Sequence, residues 1–309
     1  MSQRTIVIGT RGSRLALWQA HHVQDRLQAE GHRVDIKIIK TRGDRIQNIG
    51  FDKMEGKGFF TKEIEQALLS KEIDLAVHSH KDLETTSPEG LVIGAVSDRE
   101  DPRELLLAKP EAIAADEKFQ LKKGAVVGTS SARRKSQLLG ERPDLQLKDL
   151  RGNVPTRIEK LRNEGYDAIL LAAAGVKRLE LDLKDLQVMH LDPRVFIPAP
   201  AQGVLALQIR AKDKELATWL QFFNHGATAT RIGLERSVLK AFHGGCQVPL
   251  GAYCEMEDQK VKLWVAASES WENPPKRLYL EAETTEGLAE KAVAQLKKKT
   301  IQASSSAAN

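Results

Sequence analysis

Apolar positions in the first hundred residues follow two rhythms in turn. Val34, Ile36 and Ile38 alternate with Asp35 and Lys37, the period of a half-buried strand, whereas Leu15, Trp18, Val23 and Leu27 recur near the helical spacing. Ser13 stands where a helix N-cap belongs and Gly31 where that helix must stop. Residues 4–9, 74–79 and 91–96 read as further strands and 61–70 as a second helix. The stretch 41–58 is rich in Gly, Asp and Lys with little periodicity, which predicts a long exposed loop. Such a stretch inside a compact domain is often functional, so a mobile cover over a site is expected there. Strand and helix alternate, the pattern of an α/β unit.

A second unit follows Asp101-Pro102, with strands expected at 125–128, 145–149 and 168–172 and helices at 131–139 and 154–163. It echoes the first. Ile8-Gly9-Thr10 leads to Arg14 and Val127-Gly128-Thr129 leads to Arg133, each Arg five residues after the Gly, and Asp74-Leu-Ala-Val parallels Asp167-Ala-Ile-Leu. Chance similarity and two related lobes facing one cleft both account for echoes this short. The run Phe196-Ile-Pro-Ala-Pro-Ala-Gln-Gly203 reads as a crossover or hinge, followed by a strand at 204–209 and a helix rich in Ala and Leu. From about Thr228 the pattern changes to a helix, strands near 251–255, 261–265 and 277–280, and a helix at 286–298. That is a smaller α+β domain, with a polar tail at 303–309 expected to be disordered.

Charge narrows the class of partner. The 309-residue chain has a net charge of +5 and a pI near 9.1, which favours anionic ligands. Aromatic residues make up only 5%, few platforms for stacking single-stranded nucleic acid, so a small polycarboxylate or phosphate is the expected partner and nucleic acid is not. No apolar run approaches the roughly 18 residues of a membrane span. The start, Met-Ser-Gln-Arg-Thr-Ile, lacks the apolar stretch of a signal peptide, so a cytoplasmic location is expected. Two cysteines make no disulfide framework. Cys254 falls in a predicted strand and reads as structural. Cys246, in Gly244-Gly-Cys-Gln-Val-Pro249, reads as an exposed thiol on a glycine turn, open to alkylation.

The basic residues are placed with some regularity. Arg11 and Arg14 follow the first Gly-Thr, and Ser130, Ser131, Arg133 and Arg134 follow the second. Arg151 and Arg157 flank a loop entering a helix, and Lys177-Arg178 follows the strand at 168–172. All lie just past the C-terminal end of a predicted strand, the edge at which open α/β sheets bind ligands. Helix N-termini bind anions there, and arginine forks pair with carboxylates. Each one, taken singly, is equally a solvated charge or an ordinary cap. Val77-His-Ser-His-Lys-Asp82 has two readings. His-x-His-x-Asp is a metal-ligand spacing, though no other His or Cys cluster in the sequence completes a site. Alternatively Asp82 is a carboxylate among cations, able to stay ionised and to stabilise positive charge on a substrate. A zinc hydrolase and an anion-binding protein without catalysis are the rival classes.

Taken in order, seven blocks resemble the porphobilinogen deaminase family from residue 4 to about 300. They are Gly9-Thr-Arg-Gly-Ser-Arg-Leu-Ala-Leu-Trp-Gln19, Gly56-Lys-Gly-Phe-Phe-Thr-Lys-Glu63, the His78–Asp82 block, Gly128-Thr-Ser-Ser-Ala-Arg-Arg134, Leu150-Arg-Gly-Asn153, Gly175-Val-Lys-Arg-Leu179 and the Cys246 block. The resemblance implies an α/β fold of two lobes like periplasmic binding proteins plus a smaller C-terminal α+β domain. The expected division is 1–98 with 201–222, then 102–197, then 226–309. It implies a cytoplasmic, monomeric transferase of porphyrin and heme biosynthesis. Such an enzyme condenses four porphobilinogen molecules head to tail, with loss of ammonia, into hydroxymethylbilane.

On the same footing, the primer is a dipyrromethane cofactor linked through Cys246, and Asp82 is the catalytic residue. Lys81, Thr129, Ser131, Arg133, Arg134, Arg151 and Gly152 are expected around the cofactor, and Arg11, Ser13, Lys57, Arg157, Arg178 and Gln202 around the substrate. No metal, membrane or nucleic acid is expected. The sequence departs from the family pattern at His80 and Glu84, which flank Asp82, and at Ala201 before Gln202-Gly203.

Overall fold

The computed structural model describes residues 4–45, 60–242 and 248–306. The chain begins with β1 (Thr5–Thr10), α1 (Arg14–Ala29), β2 (Arg33–Ile38), the single turn α2 (Arg42–Arg45), α3 (Lys62–Leu69), β3 (Leu75–Ser79) and β4 (Leu91–Val96). It crosses into β5 (Glu104–Ala108), β6 (Val126–Gly128), α4 (Ala132–Glu141), β7 (Gln146–Lys148), α5 (Val154–Asn163), β8 (Ala168–Ala172), α6 (Ala173–Arg178) and β9 (Gln187–Leu191). It returns through β10 (Leu205–Arg210) and α7 (Lys214–Trp219). It ends with α8 (Gly226–Ala241), β11 (Leu250–Glu257), β12 (Lys260–Ala267), β13 (Lys276–Ala282) and α9 (Leu288–Ser306).

The two large sheets share one plan, β2-β1-β3-β10-β4 and β7-β6-β8-β5-β9. In each, the first three strands run parallel and the fourth runs antiparallel to both its neighbours. That fourth strand is the one on which the chain arrives from the other lobe. The short sequence echoes have a physical basis in this plan. The Val7 N–H donates to the Asp74 carboxylate at 3.1 Å, and the Val126 N–H donates to Asp167 at 2.7 Å, so each acid ties two parallel strands together at the same point. Two residues on, a Cβ at Gly9 would collide with Ile73, and one at Gly128 would come within 2.8 Å of the Tyr166 ring. Both positions are glycine because the residue leading into the next strand lies over them.

Each sheet is buried by its helices. Ile6, Ile8, Val23, Leu27, Leu75 and Leu207 centre the first core, and Leu106, Val127, Leu138 and Leu170 lie at the heart of the second. In the C-terminal part, α8 and α9 cover one face of the antiparallel sheet β11-β12-β13. Cys254 belongs to that core, and burial pushes its thiol up to about 12, the structural role its strand position implied.

Three local expectations change. β5 and β9 complete the second sheet where no strand was expected. The stretch 41–58 opens with α2, with Thr41 and Gly43 buried rather than exposed, because Gly43 packs directly on the Phe60 ring; from residue 46 it lies outside the described residues. Finally, α9 continues through Ser306, past the expected end at 298 and into the tail expected to be disordered. Among the described residues no helix is long and apolar enough to cross a membrane.

Candidate functional site

β3 ends in a 3-10 turn, His80–Asp82, that leaves Asp82 exposed at its tip. Lys81 points back into the protein. Its Nζ donates to the Gln202 amide oxygen at 3.0 Å, and the Gln202 amide nitrogen donates to the Pro102 carbonyl at 2.9 Å. Gln202 is wholly buried and so joins the end of β3 to both segments that cross between the lobes. Burial pushes the Lys81 ammonium down to about 8, Asp82 partly restores it, and Arg134 opposes that.

In the second lobe, Ser131 takes the N-cap position of α4 and its N–H donates to the Thr129 hydroxyl at 3.2 Å. Arg133 and Arg134 lie in the first turn of that helix, and both converge on Glu104 at 2.6 Å. Arg134 grips the carboxylate through two nitrogens and donates to the Leu170 carbonyl, while Arg133 also donates to the Ile197 carbonyl. Glu104 is wholly buried at the start of β5. Burial alone would raise its pKa, but Arg134 and Arg133 together hold it at about 2.

A third group forms where the chain enters α5. Asn153 caps that helix by accepting from the Thr156 N–H at 2.9 Å, and Gly152 before it adopts φ +117°, a left-handed conformation that glycine alone takes readily. The Arg157 Nε donates to the Gly152 carbonyl at 2.8 Å. Burial first, then Arg134 and Arg151, push the Arg157 guanidinium down to about 10, with Asp82 opposing. Arg134, Arg151 and Arg157 of one lobe and Asp82 of the other therefore share one electrostatic neighbourhood. Lys81, Arg133, Arg134, Arg151 and Arg157 outnumber the acids among them, Glu104 and Asp82.

Other expected site residues gather around α1. Arg11 stands 4.1 Å over the Phe60 ring. Arg178, buried at the end of α6, donates to the Gly203 carbonyl at 2.8 Å and lies 5.7 Å over the Trp18 ring; burial lowers it to about 10. Ser13 caps α1 by accepting from the Ala16 N–H at 3.3 Å. Lys177 turns away to an exposed ion pair with Glu100. Lys57 and Cys246 lie outside the described residues.

The two histidines of the His-x-His-x-Asp spacing have separate surroundings. The His78 Nε2 is 3.1 Å from the Gln208 amide oxygen, and burial holds its ring neutral, with a pKa of about 4. His80 is pushed to about 3 by burial, then by Arg236 and His78. Among the described residues no group of three or more His, Cys, Asp or Glu side chains is placed to hold a metal ion.

Several residues of the site escaped sequence reasoning. Glu104 is the only charged side chain in the run Glu-Leu-Leu-Leu-Ala, a signal that could have been read. Arg236 on α8 donates to the carbonyls of His80, Leu83 and Glu84, bracing the turn that carries Asp82. Its neighbour Glu235, wholly buried, accepts from Arg99, from the Ala201 N–H and from the Cys254 N–H. Nothing local in the sequence marks either one.

An α/β protein of two similar lobes, with a surplus of cations facing one exposed carboxylate at its strand ends, is built to hold an anionic ligand. Comparison with known proteins gives the family. Residues 6–218 match the model described as porphobilinogen deaminase, dipyromethane cofactor binding domain, and residues 229–297 match the porphobilinogen deaminase C-terminal domain. The chain is 46% identical over 262 residues to the porphobilinogen deaminase of Oceanobacillus iheyensis, covering 84% of this chain and 83% of that one. It is 46% identical over 258 residues to that of Bacillus subtilis, covering 83% and 81%. The chain belongs to the porphobilinogen deaminase family. Among solved structures, a Salmonella typhimurium periplasmic binding protein with high arginine specificity gives a TM-score of 0.42 at 12% identity, covering 73% of this chain and 94% of that one. An ancestral arginine-binding protein bound to glutamine gives 0.40 at 14% identity, covering 72% and 91%.

Proposed function

We propose that this protein condenses four porphobilinogen molecules head to tail, with loss of ammonia, into hydroxymethylbilane, with Asp82 as the charge-stabilising carboxylate and Cys246 as the attachment point of a dipyrromethane. The observation that carries this reading is the excess of partly buried cations, drawn together from both lobes, beside the exposed Asp82. The residues fit the cofactor: each of its rings carries two carboxylates, and the mutual repulsion among Arg134, Arg151 and Arg157 is relieved by bound negative charge. Thr129, Ser131, Arg133, Arg134, Lys81, Arg151 and Gly152 are assigned to it. When bound, it supplies the pyrrole carbon on which the product is built.

Arg11, Ser13, Lys57, Arg157 and Arg178 are assigned to the substrate, whereas Gln202, expected there from the sequence, is wholly buried with its amide taken up by Lys81 and Pro102 and acts through Lys81. Asp82 accepts the pyrrole N–H of porphobilinogen and stabilises the positive charge that its ring gains as the C–N bond breaks and ammonia leaves. Lys81 keeps a cation beside Asp82, and Gln202 fixes Lys81 against the crossing segments. The reading divides the chain into 1–98 with 201–222, 102–197 and 226–309, and takes the enzyme to be a cytoplasmic monomer, which light scattering and cell fractionation test.

Asp82→Asn keeps the shape and removes the charge, so turnover is expected to fall by roughly a hundredfold or more while the circular dichroism spectrum is retained. Near wild-type turnover would remove Asp82 from the chemistry. The intact protein is expected to weigh more than its sequence by two linked pyrrole units, mapped to the peptide containing Cys246. A fully active enzyme with the bare mass would overturn the assignment.

A further inference from the structure

We infer that Gln208 is a positioning residue for Arg11, acting through a buried polar relay that locks α3 to the strand ending in Lys81 and Asp82. The inference rests on the reading that Arg11 holds a substrate carboxylate. His78 on β3 and Gln208 on β10 are diagonal neighbours across the antiparallel pair, in the register Ala206 to His78 and Gln208 to Ala76. Both are buried. The Gln208 amide nitrogen donates to the Glu65 carboxylate on α3 at 3.0 Å, and its amide oxygen faces the His78 Nε2 at 3.1 Å. Because an amide nitrogen only donates and an amide oxygen only accepts, this pairing puts the proton of neutral His78 on Nε2. The other Glu65 oxygen is 3.5 Å from the Thr61 hydroxyl, at the N-cap of α3.

The residue before that cap gives the relay its consequence. Phe60 is the platform under Arg11, and its ring also fills the place where a Cβ on Gly43 would stand. α3 packs on β1, β3, β4 and β10, and Arg210 of β10 ties its last turn by donating to the Leu68 carbonyl at 3.1 Å. The relay holds its first turn, next to Phe60, because a shift there strands the amide and imidazole in a dry core without partners. It therefore sets where Phe60, and with it Arg11, stands relative to the end of β3.

The test compares kcat, KM for porphobilinogen and the thermal midpoint in holoenzyme variants. Gln208→Met keeps the shape and deletes both bonds, so KM is expected to rise roughly tenfold with kcat within about twofold. Gln208→Glu opposes two carboxylates and is expected to do at least as much. The double variant Glu65→Gln with Gln208→Glu exchanges amide and carboxylate, rebuilds the chain and is expected to return KM close to wild type. Arg11→Leu is expected to raise KM, and adding Gln208→Met to it to raise KM little further, since both act on one guanidinium. Should Gln208→Met fail to fold, Glu65→Ala cuts the relay at its outer end and is expected to give the same KM rise. A thermal midpoint that falls and recovers across the series while KM never moves would make the relay merely structural and overturn the proposal. Additive KM effects of Arg11→Leu and Gln208→Met would overturn it too, because Gln208 would then act elsewhere. An unchanged KM in Arg11→Leu would remove the substrate role of Arg11 itself.

Discussion

At the scale of single residues, buried ionisable groups decide how the protein meets acid. Glu104 is held at about 2 against an ordinary 4.5, with Arg134 and Arg133 overcoming the burial that would raise it. A carboxyl depressed in the folded state gives stability that is complete above pH 4.5 and is lost as pH falls from there through about 2. Glu104→Gln strands two buried guanidiniums and is expected to cost about 3–5 kcal/mol at neutral pH, read from urea unfolding. His78 and His80 act earlier. Their rings are kept neutral, at about 4 and about 3 against 6.5, so the unfolded chain takes up protons first and stability falls as pH drops below 6.5. The His80 Nδ1 is buried without a hydrogen-bond partner, which makes His80→Leu a clean probe. The variant is expected to gain about 2 kcal/mol on wild type between pH 7 and pH 5 and to flatten that limb of the urea midpoint against pH. An unchanged slope would mean that His80 is not the group titrating. Asp82, Arg133 and Arg134 were visible in the sequence because they follow predicted strand ends. Glu104 showed only as a lone charge in an apolar run, and its partners did not show at all, since an ion pair across 29 or 30 residues leaves no periodic trace.

At the scale of elements, strands and helices with a clean period were legible, and those defined by tertiary contact were not. β2 alternates apolar Val34 and Ile36 with exposed Asp35 and Lys37, α1 repeats at the helical spacing, and Ser13 caps α1 as the sequence implied. β5 is five residues buried on both faces, so it has no alternation to read. β9 mixes exposed, half-buried and buried positions at the sheet edge and gives no clean pattern either. The backbone conformation of the turn before β10 leaves no local trace in the sequence. Ala201 adopts φ +61° although it is not glycine, and Gly203 adopts φ +94° with its Cα against the Glu100 carbonyl. A Cβ there meets backbone that cannot yield. Gly203→Ala is therefore expected to lose more than about 2 kcal/mol and to displace the Gln202 and Arg178 contacts. Gly9→Ala meets side-chain atoms of Ile73 and Ile39 rather than backbone, so it is expected to cost less in the same denaturation experiment.

At the scale of the whole molecule, two neighbouring residues of α8 bind the C-terminal part to the rest. Glu235 gathers Arg99, Ala201 and Cys254, and Arg236 holds the turn of Asp82. Glu235→Gln removes the charge opposite buried Arg99 while sparing Arg236. Calorimetry is expected to resolve a separate, lower transition for the C-terminal part, and a single unshifted transition would count against that coupling. The sheet plan was only half legible: the echoes hinted at two lobes, but no local pattern says that β10, coded after the whole second lobe, sits between β3 and β4. This insertion has a consequence for synthesis. β4 joins the first sheet only through β10, so a nascent chain cannot complete its first lobe until about residue 210 has left the ribosome. The second sheet draws all its strands from residues 104–191 and can close sooner. Domains usually fold in the order they emerge. Here the part made first has to wait for the part made later, and released chains that end near residue 200 are expected to resist protease over the second lobe while the first is still digested.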